Sequence, residues 1–315
     1  MTMRALFTLL GCIAVLGLVA AGCGGDDDDG GNGGASGTIT IDGSSTVGPF
    51  ATRAAEDFRE ENSSVDVTVG ISGTGGGFER FCAGETDISD ASRPIDEDEA
   101  AMCEENGVEY IELRVATDAL TNIVNSANDW ATCLTVDQLK AIWGPDSNVS
   151  NWNQVDPSFP DQALKLYGPG TDSGTFDYFT DVINGEEGAS RTDFSASEDD
   201  NVIVQGVSGD DGGLGYLGFS YFEENQDTLK ALEVDGGQGC VAPTVDAAQD
   251  DTYTPLSRPL FMYVKTGALS DNEALPEFLN FTLDNAQTIA EESRVVPLNQ
   301  DQIDEQLQKL GDATA

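Results

Sequence analysis

The segment 168-GPGTDSGTFDYF-179 combines residue types that serve two different kinds of site. Its glycines, its hydroxyl side chains and Asp172 precede an aromatic run that is able to open a helix. The segment therefore fits either a nucleophilic serine at Ser173 or a cradle for an anion, because free amides at a helix N-terminus attract negative charge. A nucleophilic serine and an anion cradle require different partner residues elsewhere in the chain.

The chain contains no histidine among its 315 residues. Asp172-Ser173-Gly174 is similar to the nucleophile turn of serine proteases, but such a serine needs a base, usually His and occasionally Lys. No lysine stands in a Ser-x-x-Lys arrangement, and no Cys-x-x-Cys pair is present. The residues argue against an enzyme and against a metal site, so we predict no catalytic residue, no metal and no cofactor.

Two further turns share the composition of the first segment, 42-DGSSTVGP-49 and 70-GISGTGGGF-78. In each, a strand-like segment leads into a helix-like one, which places amides at the positive end of a helix dipole beside hydroxyls. One such turn is weak evidence, since most only cap a helix. Three of them predict convergence on one small anion. The nucleotide motifs GxGxxG and GxxxxGK[ST] do not occur.

These turns need an α/β framework to hold them. Alternating apolar residues predict strands at 38–42, 65–71, 109–115 and 122–125. Apolar periodicity predicts helices at 49–60, at 135–142, after Ser173, at 274–292 and at 301–310. Such alternation favours sheets with helices packed on their faces, and a length of 315 residues allows two domains.

The N-terminus has the order of residues of an export signal. Arg4 precedes an apolar run that is short for a membrane-spanning helix and that ends in 20-AAGC-23, so we predict a signal peptide over residues 1–22. Cys23 resembles the cysteine of a bacterial lipobox, which implies lipidation, although Ala20 stands where Leu is usual and ordinary cleavage remains an alternative. Residues 23–37 then form the lipid anchor and a flexible acidic Gly/Asp linker.

The chain as a whole is strongly acidic. It has 14 basic and 57 acidic residues and a formal net charge of −43. Nucleic acid is excluded as a partner, because neutralising phosphates requires a basic face.

The cysteines divide by location. Of the six, Cys12 leaves with the signal peptide and Cys23 takes the lipid. An even number remains in an exported protein, which predicts two disulfides among three possible pairings. We favour the pairs Cys82 with Cys103 and Cys133 with Cys240.

Successive segments of the chain resemble one known family. They are 43-GSST-46, 73-GTGGGF-78, 81-FCAGETDI-88, 91-ASRPI-95, 168-GPGTDSGTFDYF-179, 197-SEDDN-201, 212-GGLGY-216 and 256-LSRPLF-261. In this order they are similar to the phosphate-binding lipoproteins of bacterial phosphate ABC transporters. The resemblance covers nearly all of the mature chain.

The resemblance implies a type II periplasmic-binding-protein fold, in which two α/β lobes joined by two crossing segments close over a ligand. We place lobe I at 38–118 plus 258–315 and lobe II at 119–257. The crossings are expected near 114–120 and 253–259.

The resemblance also implies which residues hold phosphate. They are Ser45, Thr46, the Val47 amide, Thr74, Gly75, Ser92, Arg93, Asp172, Ser173, Gly174 and Thr175. On this interpretation Ser173 donates to a phosphate oxygen and attacks nothing.

The chain departs from the family pattern at two positions. Ser92 stands where family members have an aspartate that accepts the proton of hydrogen phosphate, and Pro169 stands where an arginine is expected. We expect Arg93 to replace the lost guanidinium and either Asp172 or Asp90 to replace the acceptor. The preference between phosphate and sulfate stays open, because sulfate carries no proton and only a buried acceptor rejects it.

The sequence therefore predicts an extracytoplasmic lipoprotein, anchored to the outer face of the cell membrane or periplasmic. We expect it to capture inorganic phosphate between its lobes and to deliver it to the permease of an ABC transporter. The alternatives are a receptor for another tetrahedral oxyanion such as sulfate, and a surface adhesion or signalling module on the same fold.

Overall fold

The computed structural model describes residues 36–315. The predicted signal peptide, the lipidation site Cys23 and the linker up to residue 35 lie outside the described residues. No helix within residues 36–315 is long and apolar enough to cross a membrane.

Strands and helices alternate along the chain, as the sequence predicts. The strands are β1 (Gly37–Gly43), β2 (Val65–Gly70), β3 (Ile88–Ala91), β4 (Tyr110–Asn125), β5 (Cys133–Thr135), β6 (Lys165–Gly168), β7 (Ser195–Ala196), β8 (Gly213–Gly218), β9 (Leu229–Ala231), β10 (Glu233–Asp235), β11 (Cys240–Val241) and β12 (Ser257–Lys265). The helices are α1 (Gly48–Glu61), α2 (Gly73–Cys82), α3 (Glu97–Glu105), α4 (Val136–Trp143), α5 (Trp152–Val155), α6 (Gly174–Phe179), α7 (Asp200–Ser208), α8 (Phe219–Glu224), α9 (Val245–Gln249), α10 (Thr266–Asp271), α11 (Ala274–Asp284), α12 (Ala286–Glu292) and α13 (Gln300–Thr314). A π-helical turn, Thr180–Asn184, continues α6.

A nine-stranded sheet forms the frame of the molecule. Its order is β2-β1-β3-β12-β4-β8-β6-β7, with β9 also paired to β4. The strands β2, β1 and β3 are parallel, so their carboxyl ends lie at one edge of the sheet. The turns that follow β1, β2 and β3 are therefore brought together.

Strand β4 corrects one expectation. The sequence predicts two strands, 109–115 and 122–125, whereas the structure has one strand of 16 residues. Its first part pairs with β12, up to the register pair Ala119 with Ser257, and from Leu120 onward it pairs with β8. Asp118 lies between the two predicted strands, and in the structure it belongs to β4 and its carboxylate is paired with Arg258 of β12.

Two large apolar clusters lie on either side of this crossing. One draws its buried residues from 39–116 and 260–310, and the other draws them from 120–256. Each contains fully buried aromatic rings, such as Phe50 in the first and Trp143 in the second, and each ring contributes about 2–3 kcal/mol by leaving water. The lobe boundaries 118/119 and 257/258 stay a prediction.

Two further expectations concern the C-terminus and the cysteines. The predicted helix 274–292 is two helices, α11 and α12, which meet at Asn285. Asn285 leaves the helical conformation, and its side-chain amide donates to Phe281 O, a side-chain-to-backbone bond of the kind that competes with helix continuation. Disulfides join Cys82 to Cys103 and Cys133 to Cys240, the pairing that the sequence favours.

Candidate functional site

A cleft of about 620 Å³ lies where the glycine- and hydroxyl-rich turns meet. The turn after β1, the turn after β2, the turn after β3, the start of α6 and the start of β12 all contribute to its lining.

The turn after β1 is held against β3. Gly43 has φ +147°, and a Cβ there would lie 2.1 Å from the carbonyl oxygen of Asp90, so only glycine fits. The Ser44 N–H donates to that same carbonyl at 2.9 Å, and the Ser44 hydroxyl accepts from the Thr46 N–H at 3.2 Å. This places Ser45 and Thr46 on the cleft, at the N-terminus of α1.

The turn after β2 is fixed through Asp42. The backbone N–H and the hydroxyl of Ser72 both donate to Asp42 Oδ1, at 3.0 and 2.7 Å, and Arg80 also pairs with this carboxylate. Helix α2 starts at Gly73 without a side-chain cap, so the amides of Thr74 and Gly75 belong to a helix turn that has no intrahelical acceptors. These amides lie at the cleft.

The turn after β3 joins the second one through hydroxyls. The hydroxyls of Thr74 and Ser92 are 3.1 Å apart, and the Ser92 N–H donates to Thr74 Oγ1 at 3.2 Å. We call the hydroxyl side chains of these three turns the donor wall. Its members are Ser45, Thr46, Thr74 and Ser92.

Arg93 lies at the edge of the cleft with its guanidinium already occupied. Its Nη1 and Nη2 donate to the two carboxylate oxygens of Glu99 at 2.8 and 2.7 Å, and Nη1 also donates to Pro94 O at 3.1 Å. The hydrogen bonds that Arg93 donates to Glu99 raise the pKa of Arg93 further above its usual value.

Arg258 is a cleft residue that the sequence interpretation misses. It stands at the start of β12, where its Nη2 donates to Thr46 Oγ1 at 3.1 Å and its Nε donates to Asp118 at 3.1 Å. Its guanidinium carbon lies 3.8 Å from the ring centroid of Tyr178 on α6. Arg258 lies in the segment 256-LSRPLF-261, at one of the two predicted crossings between the lobes. An arginine at such a crossing is the sequence feature that could have indicated it.

The start of α6 closes the cleft opposite the donor wall. A Cβ on Gly174 would lie 3.2 Å from Thr46 Oγ1, so the two sides touch here. Ser173 caps α6 by accepting the Thr175 N–H at 3.2 Å. Asp172 is exposed, and its backbone N–H points to Glu198.

Carboxylates dominate this opposite side. We call them the acidic wall, and its members are Asp177, Asp181 and Glu187. Burial and then the charge of Glu187 raise the pKa of Asp177, while Arg258 opposes this shift. The cleft therefore places hydrogen-bond donors on one side and acceptors on the other.

Asp90 is sealed behind the donor wall. It is fully buried and does not line the cleft, and neither of its carboxylate oxygens has a hydrogen-bond partner within the described residues. Burial, with a smaller contribution from Asp42, raises its pKa well above the usual range.

The structure brings most of the predicted phosphate-binding residues together. Those that line the cleft are Ser45, Thr46, Thr74, Gly75, Ser92, Arg93 and Gly174. Those outside the lining are Val47, Asp172, Ser173 and Thr175. The roles of all of them stay predictions.

Across residues 36–315, one group of metal-ligand side chains lies close together: Cys133, Glu233 and Cys240. Its two sulfurs are joined in a disulfide, so the group offers no thiolate to a metal ion.

The chain is similar to known proteins over most of its length. The profile of the PBP superfamily domain matches residues 30–286. Protein SphX of Synechocystis sp. is 50% identical over 265 residues, which is 84% of this chain and 79% of that protein. The phosphate-binding protein PstS of Staphylococcus saprophyticus is 40% identical over 296 residues, 94% of this chain and 91% of its own. A possible phosphate binding protein from Planctomyces limnophilus has a solved structure with a TM-score of 0.83 and 45% identity, covering 89% of this chain and 100% of that one.

Proposed function

The chain belongs to the PBP superfamily, and on that premise we propose that it captures inorganic phosphate in the cleft and delivers it to the permease of an ABC transporter. One observation carries the proposal. Hydroxyls and helix-start amides from three separate turns converge on one cleft of about 620 Å³, together with a guanidinium. The names of the relatives supply the identity of the anion.

The energetics favour such a cradle in spite of the charge of the chain. A phosphate dianion that leaves water must regain several kcal/mol from fixed donors, and charge-assisted hydrogen bonds of about 1.5–3 kcal/mol each provide this when many converge. The net charge of −43 repels the anion, but exposed carboxylates more than about 8 Å away are largely screened at physiological salt. Donors in the cleft are not screened in this way.

The same geometry supports binding without catalysis. Ser173, the candidate nucleophile, uses its hydroxyl to accept the Thr175 N–H, and the chain has no histidine to activate it. We therefore propose that phosphate is bound in the cleft and released unchanged.

Thermal unfolding tests phosphate capture directly. A ligand that binds only the folded state stabilises it by RT ln(1 + [L]/Kd), so the midpoint should rise with each tenfold increase in phosphate. Chloride at equal ionic strength is the control. An unfolding midpoint that does not change with phosphate up to millimolar concentration would contradict the proposed function.

We further propose that the protein is held at the outer face of the cell membrane through lipid on Cys23, with residues 24–36 as a tether, since Gly37 already belongs to β1. Replacing Cys23 by Ala should move the protein from the membrane fraction to the soluble fraction while phosphate binding is retained. An unlipidated Cys23 in the wild-type mass spectrum would contradict the anchor and leave the phosphate proposal untouched.

A further inference from the structure

We propose that Arg258, and not Arg93, is the guanidinium that the bound anion meets, and that Glu99 holds Arg93 away from it. The inference rests on the proposed function of the cleft. It assigns the charge of the site to a residue that is absent from the phosphate-binding set predicted from the sequence and that lies where β4 and β12 pass between the two apolar clusters.

The guanidinium of Arg93 is occupied by a single carboxylate, that of Glu99. Both terminal nitrogens bond to Glu99, at 2.8 and 2.7 Å, which is the bidentate arrangement that fixes an arginine most firmly. Glu99 is itself held from a second direction, because it accepts the Asp96 N–H at 3.0 Å in the capping box of α3. An entering anion would have to displace Glu99 before it could take these two donors.

Arg258 is arranged differently. A single carboxylate oxygen, Oδ2 of Asp118, receives both Nε at 3.1 Å and Nη2 at 3.0 Å. Nη2 also donates to Thr46 Oγ1, inside the donor wall. Within residues 36–315 no acceptor bonds to Nη1, which leaves this nitrogen for a ligand in the cleft.

Burial strengthens the same contrast. The Arg258 side chain is 19% exposed and that of Arg93 is 43% exposed. A charge in a less hydrated place acts more strongly on an anion, since the local dielectric constant is lower. The ring of Tyr178 covers one face of the Arg258 guanidinium, and the Tyr178 hydroxyl is tied to Pro255 O at 2.7 Å. The charge is therefore held in place before any ligand arrives.

Asp118 acts as a positioning residue in this arrangement. It lies on β4 directly opposite Arg258 in the β4–β12 register. A lysine at 258 keeps the charge, but its single ammonium cannot reach Asp118, Thr46 and an anion in the fixed geometry of a guanidinium. The geometry thus predicts that a lysine at position 258 does not replace the arginine in phosphate binding.

Calorimetric titration with inorganic phosphate tests the inference on the wild type, Arg258→Lys, Arg258→Ala, Arg93→Ala and Glu99→Gln. We expect Arg258→Lys to weaken binding about 10-fold and Arg258→Ala about 100-fold, the range of charge-assisted contacts. Arg93→Ala should stay within about 3-fold of the wild type, and Glu99→Gln should bind at least as tightly as the wild type, because it releases Arg93.

Each outcome decides a different point. If the wild type gives no heat with phosphate, the proposed function fails and the inference fails with it. If the wild type binds and Arg93→Ala loses as much affinity as Arg258→Lys, the inference alone is overturned. Should Arg258→Ala fail to fold by circular dichroism, Arg258→Lys and Arg93→Ala still decide it, since Arg258→Lys keeps a positive charge beside Asp118 and the Arg93 side chain is 43% exposed.

Discussion

The two sides of the cleft differ in chemistry although they face the same space. The donor wall offers the hydroxyls of Ser45, Thr46, Thr74 and Ser92, whereas the acidic wall offers the carboxylates of Asp177, Asp181 and Glu187. Donors stabilise any small oxyanion, but carboxylates repel one unless it brings a proton to share. From this difference we expect the donor wall to supply affinity and the acidic wall to supply selectivity.

Removal of a donor should have the largest effect. Thr46→Ala takes away a hydroxyl that lies on the cleft and that also receives Arg258 Nη2, so phosphate binding should weaken by about 1–3 kcal/mol. Thr74→Ala should cost a similar amount. Calorimetry measures both changes, and Thr171→Ala, an exposed neighbour outside the lining, is the matched control. Equal losses in Thr46→Ala and Thr171→Ala would break the assignment of affinity to the donor wall.

Removal of a charge from the acidic wall should alter selectivity more than affinity. Asp177→Asn should tighten sulfate binding about 10-fold and change phosphate binding less, because the amide no longer repels an anion without a proton. The control is Asp172→Asn, an exposed aspartate outside the lining. If Asp172→Asn changed the ratio of sulfate to phosphate affinity and Asp177→Asn did not, the assignment of selectivity to the acidic wall would be wrong.

Asp90 should influence stability and leave selectivity unchanged, since it lies behind the donor wall. Its pKa is raised in the folded state, so the stability it contributes is complete below the unfolded value of about 3.9 and is lost as pH rises through the folded value. Asp90→Asn cannot ionise, and its melting temperature should exceed that of the wild type increasingly toward alkaline pH, by about 2–4 °C for each kcal/mol. Parallel melting curves from pH 5 to 10, or a shifted sulfate-to-phosphate ratio, would contradict this placement.

Ser173 should show the smallest effect on binding. Its hydroxyl caps α6, so Ser173→Ala should lower the free energy of unfolding by about 0.5–2 kcal/mol and change the phosphate affinity less than about 3-fold. Thr244→Ala is a matched control, because Thr244 caps α9 away from the cleft. A loss of affinity in Ser173→Ala as large as in Thr46→Ala would move the donor role to α6.

Local pattern made much of the fold predictable. The turns 42–49 and 70–78 lie between strands and helices whose periodicity is visible in the sequence, and parallel pairing of β1, β2 and β3 then brings the turns together. The interruption predicted between the strands 109–115 and 122–125 was wrong, because residues 116–121 pair with the distant strands β12 and β8, and no local pattern reveals those pairings.

The candidate site, like the fold, could be predicted from the sequence only in part. The predicted turns 42–49 and 70–78 line the cleft, because turn composition is a local property, whereas Asp172, Ser173 and Thr175 of the third predicted turn lie outside the lining. Arg258, Tyr178 and Asp177 were missed, since their place depends on how β12 and α6 pack across the cleft. The Arg93–Glu99 pair spans only six residues, so the sequence contained the information that Arg93 has a neighbouring carboxylate of its own.

The central claim is that one cleft binds phosphate through its donor wall and rejects sulfate through its acidic wall. Calorimetric titration of the purified chain with phosphate, followed by sulfate on a fresh sample at the same pH and salt, tests it most directly. The account predicts a single phosphate site and a sulfate affinity at least about 100-fold lower, a difference of about 2.7 kcal/mol. Equal affinities for the two anions, or heat with sulfate alone, would contradict it.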